Sequence, residues 1–386
     1  MSIVSPEEVI EMISDLVRID SVTPWLVEGG AGEAEVTAYF TQWLEGVPVE
    51  IEVQEIAPGR MNFLATLRGT GGGPSICLNA HADTVGYAGW PDDALVPKLD
   101  GDRLFGLGSG DDKGCCAIAL LVLRHLATKA PALRGDVTIA LVADEEGVSI
   151  GSEHLVKTKK YDFAIVIEAD ALPKVVVEHQ GFGWIDVVVH GKAAHGSTPD
   201  QGVDAIVGLS EVITRMHAHD IKNFKISPAP RNGQTVFHTG TIQGGTDYAT
   251  YPSIATLGIE IGTQPGETLD DRVREIEGIL REVEGVLPGM RGEVTVRLNR
   301  SPFMSEGAEP LLASLHRAAT QHLGHPLEEV GLNAWTDAAL MQEVGTPTVM
   351  LGPLGGNFHS PYEWVSIPEV VSTVDILASA IEDLLA

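Results

Sequence analysis

Five residues of metal-ligating type stand in short motifs: His81 in HAD, Asp111 in GLGSGDDKG, Glu146 in DEEG, Glu168 in VIEAD and His359 in NFHSPYE. Neutral imidazoles and carboxylates together suit divalent cations of intermediate softness. A hydrolytic site holding two such ions roughly 3.5–4 Å apart needs one carboxylate to bridge them. The inventory meets that need. Three carboxylates and a bridging hydroxide would carry four negative charges against two divalent cations, so the assembled unit would be neutral.

Each motif alone is weak. Histidines such as His125, His154 and His316 read as ordinary polar residues, and an acidic triplet such as DEE is most often a solvated turn. Here DEE directly follows the apolar run VTIALVA, which points it into the cleft at a strand's carboxyl end. The glycines Gly106, Gly108 and Gly110 lack the dinucleotide spacing because Asp111 occupies the third glycine's place, and no phosphate-loop lysine pattern follows. Nucleotide binding is therefore discounted.

The elements that must position these residues are legible. Ser5, Pro6 and Glu8 start a helix whose apolar stripe is Val9, Ile10, Ile13, Leu16 and Val17. From Phe63 to Val177, strand-like runs (FLATL, SICLNAHAD, VTIALVADEE, FAIVIEAD) alternate with helices, CCAIALLVLRHLATK among them. That order predicts an α/β fold with a mostly parallel sheet flanked by helices. From Glu178 to Arg297 the order becomes strand, helix, strand, strand, helix, strand, a ferredoxin-like α+β module with the stretch Ser227–Gly233 as an internal loop. After Ser301 the first pattern resumes and ends in a helix to about Leu385, started by a capping box of Ser366 and Glu369. The expected organisation is a metal-binding domain from residues 1–177 and 298–386, with 178–297 inserted as a second domain.

Composition limits the partners. The chain has 386 residues, 44% hydrophobic and 20% charged, with 25 Lys and Arg against 54 Asp and Glu, a net charge of −29. Such a surface repels phosphate backbones and anionic lipid, so neither nucleic acid nor membrane is an expected partner. Three cysteines cannot build a disulfide framework, the start lacks the basic region of a secretory signal, and no apolar run is long enough to span a bilayer. The expected compartment is the cytoplasm.

Taken in order, HADTV, GLGSGDDKG, ADEEG, IEAD, GKAAHGS, TDAAL and HSPYEWV resemble the co-catalytic zinc hydrolases that include acetylornithine deacetylase, succinyl-diaminopimelate desuccinylase, aminoacylase and bacterial glutamate carboxypeptidase. The resemblance runs from SVTP at Ser21 to the last helix. It implies two divalent ions, zinc first with manganese or cobalt as alternatives: His81 and Glu168 on one, Glu146 and His359 on the other, Asp111 between them. It also implies a cis peptide after Asp111 and Glu145 as the general base. His195 would donate to the developing oxyanion in the active site of a partner subunit, making the protein a homodimer through an inserted lid domain. Asp83, two residues along an extended segment from His81, would accept the imidazole's second N–H and fix its tautomer.

The chain departs from the pattern on the substrate side. Where several relatives carry an arginine that clamps a substrate carboxylate, the run EIGTQPG has Gly262, and the usual asparagine is replaced by Ala249 before Pro252. Leu107 replaces the arginine of a G-R-G run. A bidentate carboxylate anchor is thus missing from its usual place, with Arg231 as a possible substitute. Aromatic residues (Tyr87, Trp90, Tyr248, Tyr251, Trp335, Phe358) stand beside the motifs. Trp90 and Trp335, with Arg231, are the candidate substrate contacts. The expected activity is hydrolysis of an N-acyl amide with apolar or amphipathic character. The alternatives are a metallo-carboxypeptidase or dipeptidase of the same family, or a non-catalytic metal-containing binding protein.

Overall fold

Four short apolar strands lie side by side and parallel in the order Val137–Val142, Ile76–His81, Phe163–Val166, Thr348–Met350. The computed structural model describes residues 2–91, 93–128, 133–225 and 228–386, so Lys129 and Ser227, each at the edge of an expected element, lie outside the described residues. Arg60–Leu67 and then Glu50–Ala57 extend the sheet antiparallel beyond Val137–Val142, and Lys174–His179 pairs antiparallel with Thr348–Met350. Near-continuous apolar sequence in the central strands follows from burial on both faces. Ile76 and Leu78 face the larger core with Ile139, Leu141 and Ile165; Cys77 faces a smaller one with Ala140, Val142 and Ala164.

The helices Pro6–Val17, Lys113–Thr128 and Ile367–Leu385 cover the larger face. In the last of these, Val370, Val374, Leu377 and Ile381 are buried at helical spacing, and each contributes about 1.5–3 kcal/mol by leaving water. The first helix starts as its sequence requires, with Ser5 Oγ accepting from Glu8 N at 3.2 Å and Pro6 at the first helical position. The last does not use the expected capping box. Ser366 makes no side-chain cap, and Glu369 Oε2 instead accepts from two loop donors, Leu172 N (3.0 Å) and Leu354 N (2.9 Å). No helix among the described residues is long and apolar enough to cross a membrane.

The chain divides into two compact units, residues 1–177, 305–329 and 340–386 in the first and 178–304 with 330–339 in the second. The boundary expected at 297/298 falls inside the strand Arg291–Arg300, which stays paired with Gly181–His190 to its end, so the break moves past it. The short return of 330–339 to the second unit had no sequence signal. In that unit an antiparallel sheet of order Phe237–Gly244, Ile254–Thr263, Gly181–His190, Arg291–Arg300 carries the helices Ala205–Asn223 and Leu269–Val286. The strict alternation of burial along Gly181–His190 explains why one face, with Ile185, Val187 and Val189, meets the helices.

Candidate metal centre

The parallel strand order brings the motifs together. Neighbouring strands are spaced about 4.8 Å apart, and the carboxyl ends of the four central strands carry, in spatial order, Glu146, His81, Glu168 and His359. Asp111 enters from the loop before Lys113–Thr128. His81, Asp111 and Glu168 form one group and Asp111, Glu146 and His359 a second, each residue offering one ligand atom and all atoms of a group lying within 4.8 Å of one another. Asp111 belongs to both: Oδ1 is 2.9 Å from His81 Nε2, and Oδ2 is 3.1 Å from His359 Nε2. His359 Nε2 also lies 2.9 Å from Glu146 Oε2. The first group is closed and the second open, with the His81 side chain 2% and the His359 side chain 56% exposed.

Backbone hydrogen bonds hold these side chains in register. The Asp83 carboxylate accepts from Glu145 N (3.1 Å) and Glu146 N (3.2 Å), while His81 Nδ1 faces the Asp83 carbonyl at 3.1 Å and its carboxylate only at 3.5 Å. The imidazole therefore meets the Asp83 carbonyl, and the Asp83 carboxylate clamps the acidic turn to the histidine strand. Asp112 Oδ2 accepts from His81 N at 3.0 Å, and the Asp111–Asp112 peptide is cis. A second clamp is Glu363, which is 1% exposed and accepts from Gly108 N (3.1 Å), Gly110 N (2.9 Å) and Asp111 N (3.0 Å). A third lies behind the acidic turn, where Arg60 binds Glu33 through two nitrogens and donates to Asp144 Oδ1 at 2.9 Å. Asp144, Ser149, Asn357, His359 and Tyr362 are the non-glycine residues with positive φ among those described, and all lie in the two loops that carry Glu145, Glu146 and His359. Strained backbone of this kind persists only where its surroundings fix it, and it gathers at functional sites.

The electrostatics follow from crowding. Hydrogen bonds to Asp111 and Glu146 push His359 up to about 11, and His81, despite burial, is raised by Asp111 and Asp83. Burial and the Asp111 charge push Glu146 up to about 7, and burial with the Asp112 and Asp111 charges pushes Glu168 well above the usual range. Asp111 is half-buried, but its two imidazole partners hold it low. Carboxylates so close together hold positive charge strongly, and Glu146 Oε1 is buried with no hydrogen-bond partner among the described residues. An oxygen-and-nitrogen donor set with a shared carboxylate and an unused buried oxygen fits a pair of divalent cations.

Sequence reasoning missed Glu363, Arg60 and Glu33. Glu363 lies four residues after His359 within HSPYEWV, a signal that was available; Arg60 and Glu33 are isolated charges with nothing to mark them. Glu363 is pushed up to about 8 by burial and by Asp111, against the pull of its three N–H donors. Glu363→Gln keeps the shape but sets an amide NH2 against a backbone donor. Partners of this kind typically contribute about 10- to 100-fold to metal affinity. Metal retention measured by competition with a chelator is expected to fall by about that factor, and unchanged retention would show that the glycine loop does not depend on Glu363.

The other expected site residues are distributed as follows. Trp90 is half-buried against Val22, Ala94 and Leu107 and lines a cavity of about 260 Å³ with Phe105, Pro361 and Tyr362. In the second unit, His195 is exposed, with Nδ1 2.8 Å from Ser197 Oγ. Arg231 is exposed in a loop closed by paired hydrogen bonds between Ala229 and Gly233. Trp335 donates to the Ser301 carbonyl at 3.2 Å and packs edge-on to Phe182. Ala249 accepts from Gly196 N through its carbonyl, a backbone role that needs no asparagine. At Gly262 a Cβ would stand 2.7 Å from Gln180 Oε1 and 3.1 Å from Val236 N, so a side chain there would require Gln180 to shift.

Comparison with known proteins places the chain in a family. Residues 77–383 match the model of peptidase family M20/M25/M40. Acetylornithine deacetylase of Aliivibrio fischeri is 28% identical over 90% of this chain and 90% of its own, and that of Photorhabdus laumondii 28% over 97% and 96%. The aminopeptidase PepT of Bacillus cereus superposes with a TM-score of 0.82 at 20% identity over all of both chains. The Bacillus subtilis YXEP protein, described as a dinuclear metal binding peptidase, does so at 0.72 and 18% over 98% of both. The chain belongs to peptidase family M20/M25/M40 and is a metal-dependent hydrolase of amide bonds.

Proposed function

We propose that the protein is an N-acyl deacylase in which His81 and Glu168 hold one divalent cation, Glu146 and His359 a second, and Asp111 both. The observation that carries this reading is the pair of three-residue groups sharing Asp111. Zinc is the proposed metal, with manganese and cobalt compatible with the same donors. When bound, the ions polarise the scissile carbonyl and favour hydroxide over water. Glu145, whose backbone N–H is held by Asp83, takes the proton of the attacking water and delivers it to the departing nitrogen. His195 donates to the developing oxyanion from the partner subunit of a homodimer formed through the lid domain. The proposed compartment is the cytoplasm, which suits three free buried cysteines.

Deacylation is favoured over peptide or dipeptide cleavage by two facts. Acetylornithine deacetylases are among the curated relatives that match over nearly the full length, and Gly262 supplies no guanidinium where a carboxylate clamp is expected. Arg231, Trp90 and Trp335 are the proposed substrate contacts. The test is hydrolysis of a panel of N-acetylated amines, N-acetyl-amino acids and dipeptides, before chelation, after it, and after re-addition of single metals. Loss on chelation with recovery on zinc, manganese or cobalt, and preference for acyl amides over dipeptides, are the expected results. Dipeptides cleaved far faster would move the protein to the peptidase reading, and N-acetyl-amino acids far ahead of carboxylate-free amides would remove the apolar-substrate preference.

A further inference from the structure

We propose that Trp25 and Phe358 form an apolar subsite beside the open half of the metal centre, taking a hydrocarbon or aromatic substituent of the amide substrate. The proposal rests on the deacylase reading for the position of the amide, and adds the chemical class of what lies next to it.

Trp25 is 55% exposed, yet it is not loose. Its turn is built on Thr23, whose carbonyl accepts from Leu26 N and Val27 N, and whose hydroxyl donates to Asp144 Oδ1 at 2.8 Å. The indole is laid on the acidic turn itself. A methyl group on Gly147 would stand 2.9 Å from the Trp25 side chain and 2.7 Å from the Asp144 carboxylate, so glycine there permits the close approach. Gly147 directly follows Glu146. Phe358 makes a comparable close approach. It is 38% exposed, and its ring edge would be 2.8 Å from a Cβ on Gly110, the residue before Asp111. Each ring thus packs on a glycine next to one of the two carboxylates, Glu146 and Asp111, that meet His359 Nε2. The group of Asp111, Glu146 and His359 is the more exposed of the two, and it is where a carbonyl arriving from solvent has access.

An exposed tryptophan by itself needs no explanation. Two aromatic rings held on the peptides next to two candidate ligands of one cation do need one. No free cation is offered to an anionic occupant by the turn beneath Trp25, because the Arg60 guanidinium is buried and committed to Glu33 and Asp144. Apolar substituents lose water on such rings and gain dispersion contact, and one methylene more or less in a pocket changes kcat/KM by about 10- to 200-fold.

The test compares wild type with Trp25→Ala, Trp25→Phe and Phe358→Ala on two series of carboxylate-free amides. One lengthens the acyl group from acetyl to hexanoyl on a fixed amine; the other enlarges the amine from methyl to benzyl on a fixed acetyl group. Wild type is expected to gain at least about tenfold in kcat/KM along one series, Trp25→Ala and Phe358→Ala each to lose most of that gain, and Trp25→Phe to restore it. The responding series identifies whether the subsite takes the acyl or the amine side. A flat wild-type profile, or an equal proportional loss on every member in both alanine variants, overturns the proposal. If metal-loaded wild type cleaves no amide, the deacylase reading fails separately. Calorimetric binding of N-hexanoyl-benzylamine against N-acetyl-methylamine then tests the subsite: a wild-type preference abolished by Trp25→Ala supports it, and equal affinities overturn it.

Discussion

Glu145→Gln is expected to keep both metal ions and to lose about 10²–10⁴-fold in kcat, the range general acid–base groups contribute. One feature separates Glu145 from its neighbour, and one is common to both. Glu146 lies in a ligand group with Asp111 and His359, whereas Glu145 is in neither group. The backbone of both is fixed by the same Asp83 carboxylate, so an isosteric amide at 145 leaves the turn in place. Glu145 is nevertheless close enough for its charge to act on His81. Glutamine cannot accept a proton, and proton transfer is the step that fails. Metal content per chain and kcat, measured on the same sample, decide the matter. Wild-type turnover would remove Glu145 from the mechanism, and loss of metal would reassign it as a ligand.

Asp111→Asn is expected to empty both metal positions together, with activity falling at least about 10³-fold, because Asp111 alone belongs to both groups and each of its oxygens faces a different histidine. The amide keeps the size but loses the charge and one acceptor. His359→Gln, which touches one group, is the control and is expected to cost one ion. Metal per chain after gel filtration reads the outcome directly. An Asp111→Asn protein that retains two ions would show that no carboxylate is shared. The same experiment on Glu363→Gln would separate loss of a ligand from loss of the peptide clamp that orients it.

What was legible in the sequence was chemistry of type and order. Apolar runs followed at once by His81, Glu146 or Glu168 imply parallel strands with residues of ligand type at their carboxyl ends; the sheet has that form, and those residues fall in the two three-residue groups. The ferredoxin-like order of the second unit was also written in its periodicity, since strand and helix repeats differ along the chain itself. The capping box at Ser366 failed for a tertiary reason: Glu369 found two loop N–H groups from distant segments, Leu172 and Leu354. Asp83 behaved similarly, its carboxylate taken by peptides sixty-odd residues away.

The sequence by itself determined which residue types stand at which strand ends, and so the class of reaction. Only the tertiary structure decided which carboxylate orients another residue's backbone, that a side chain at Gly262 would require Gln180 to shift, and that Trp25, unremarked among its neighbours, lies on the turn next to Glu146. The reason is one of range. Periodicity and motif spacing record interactions between near neighbours in the chain, whereas clamps and close approaches to glycine join segments whose separation in sequence carries no trace of their contact.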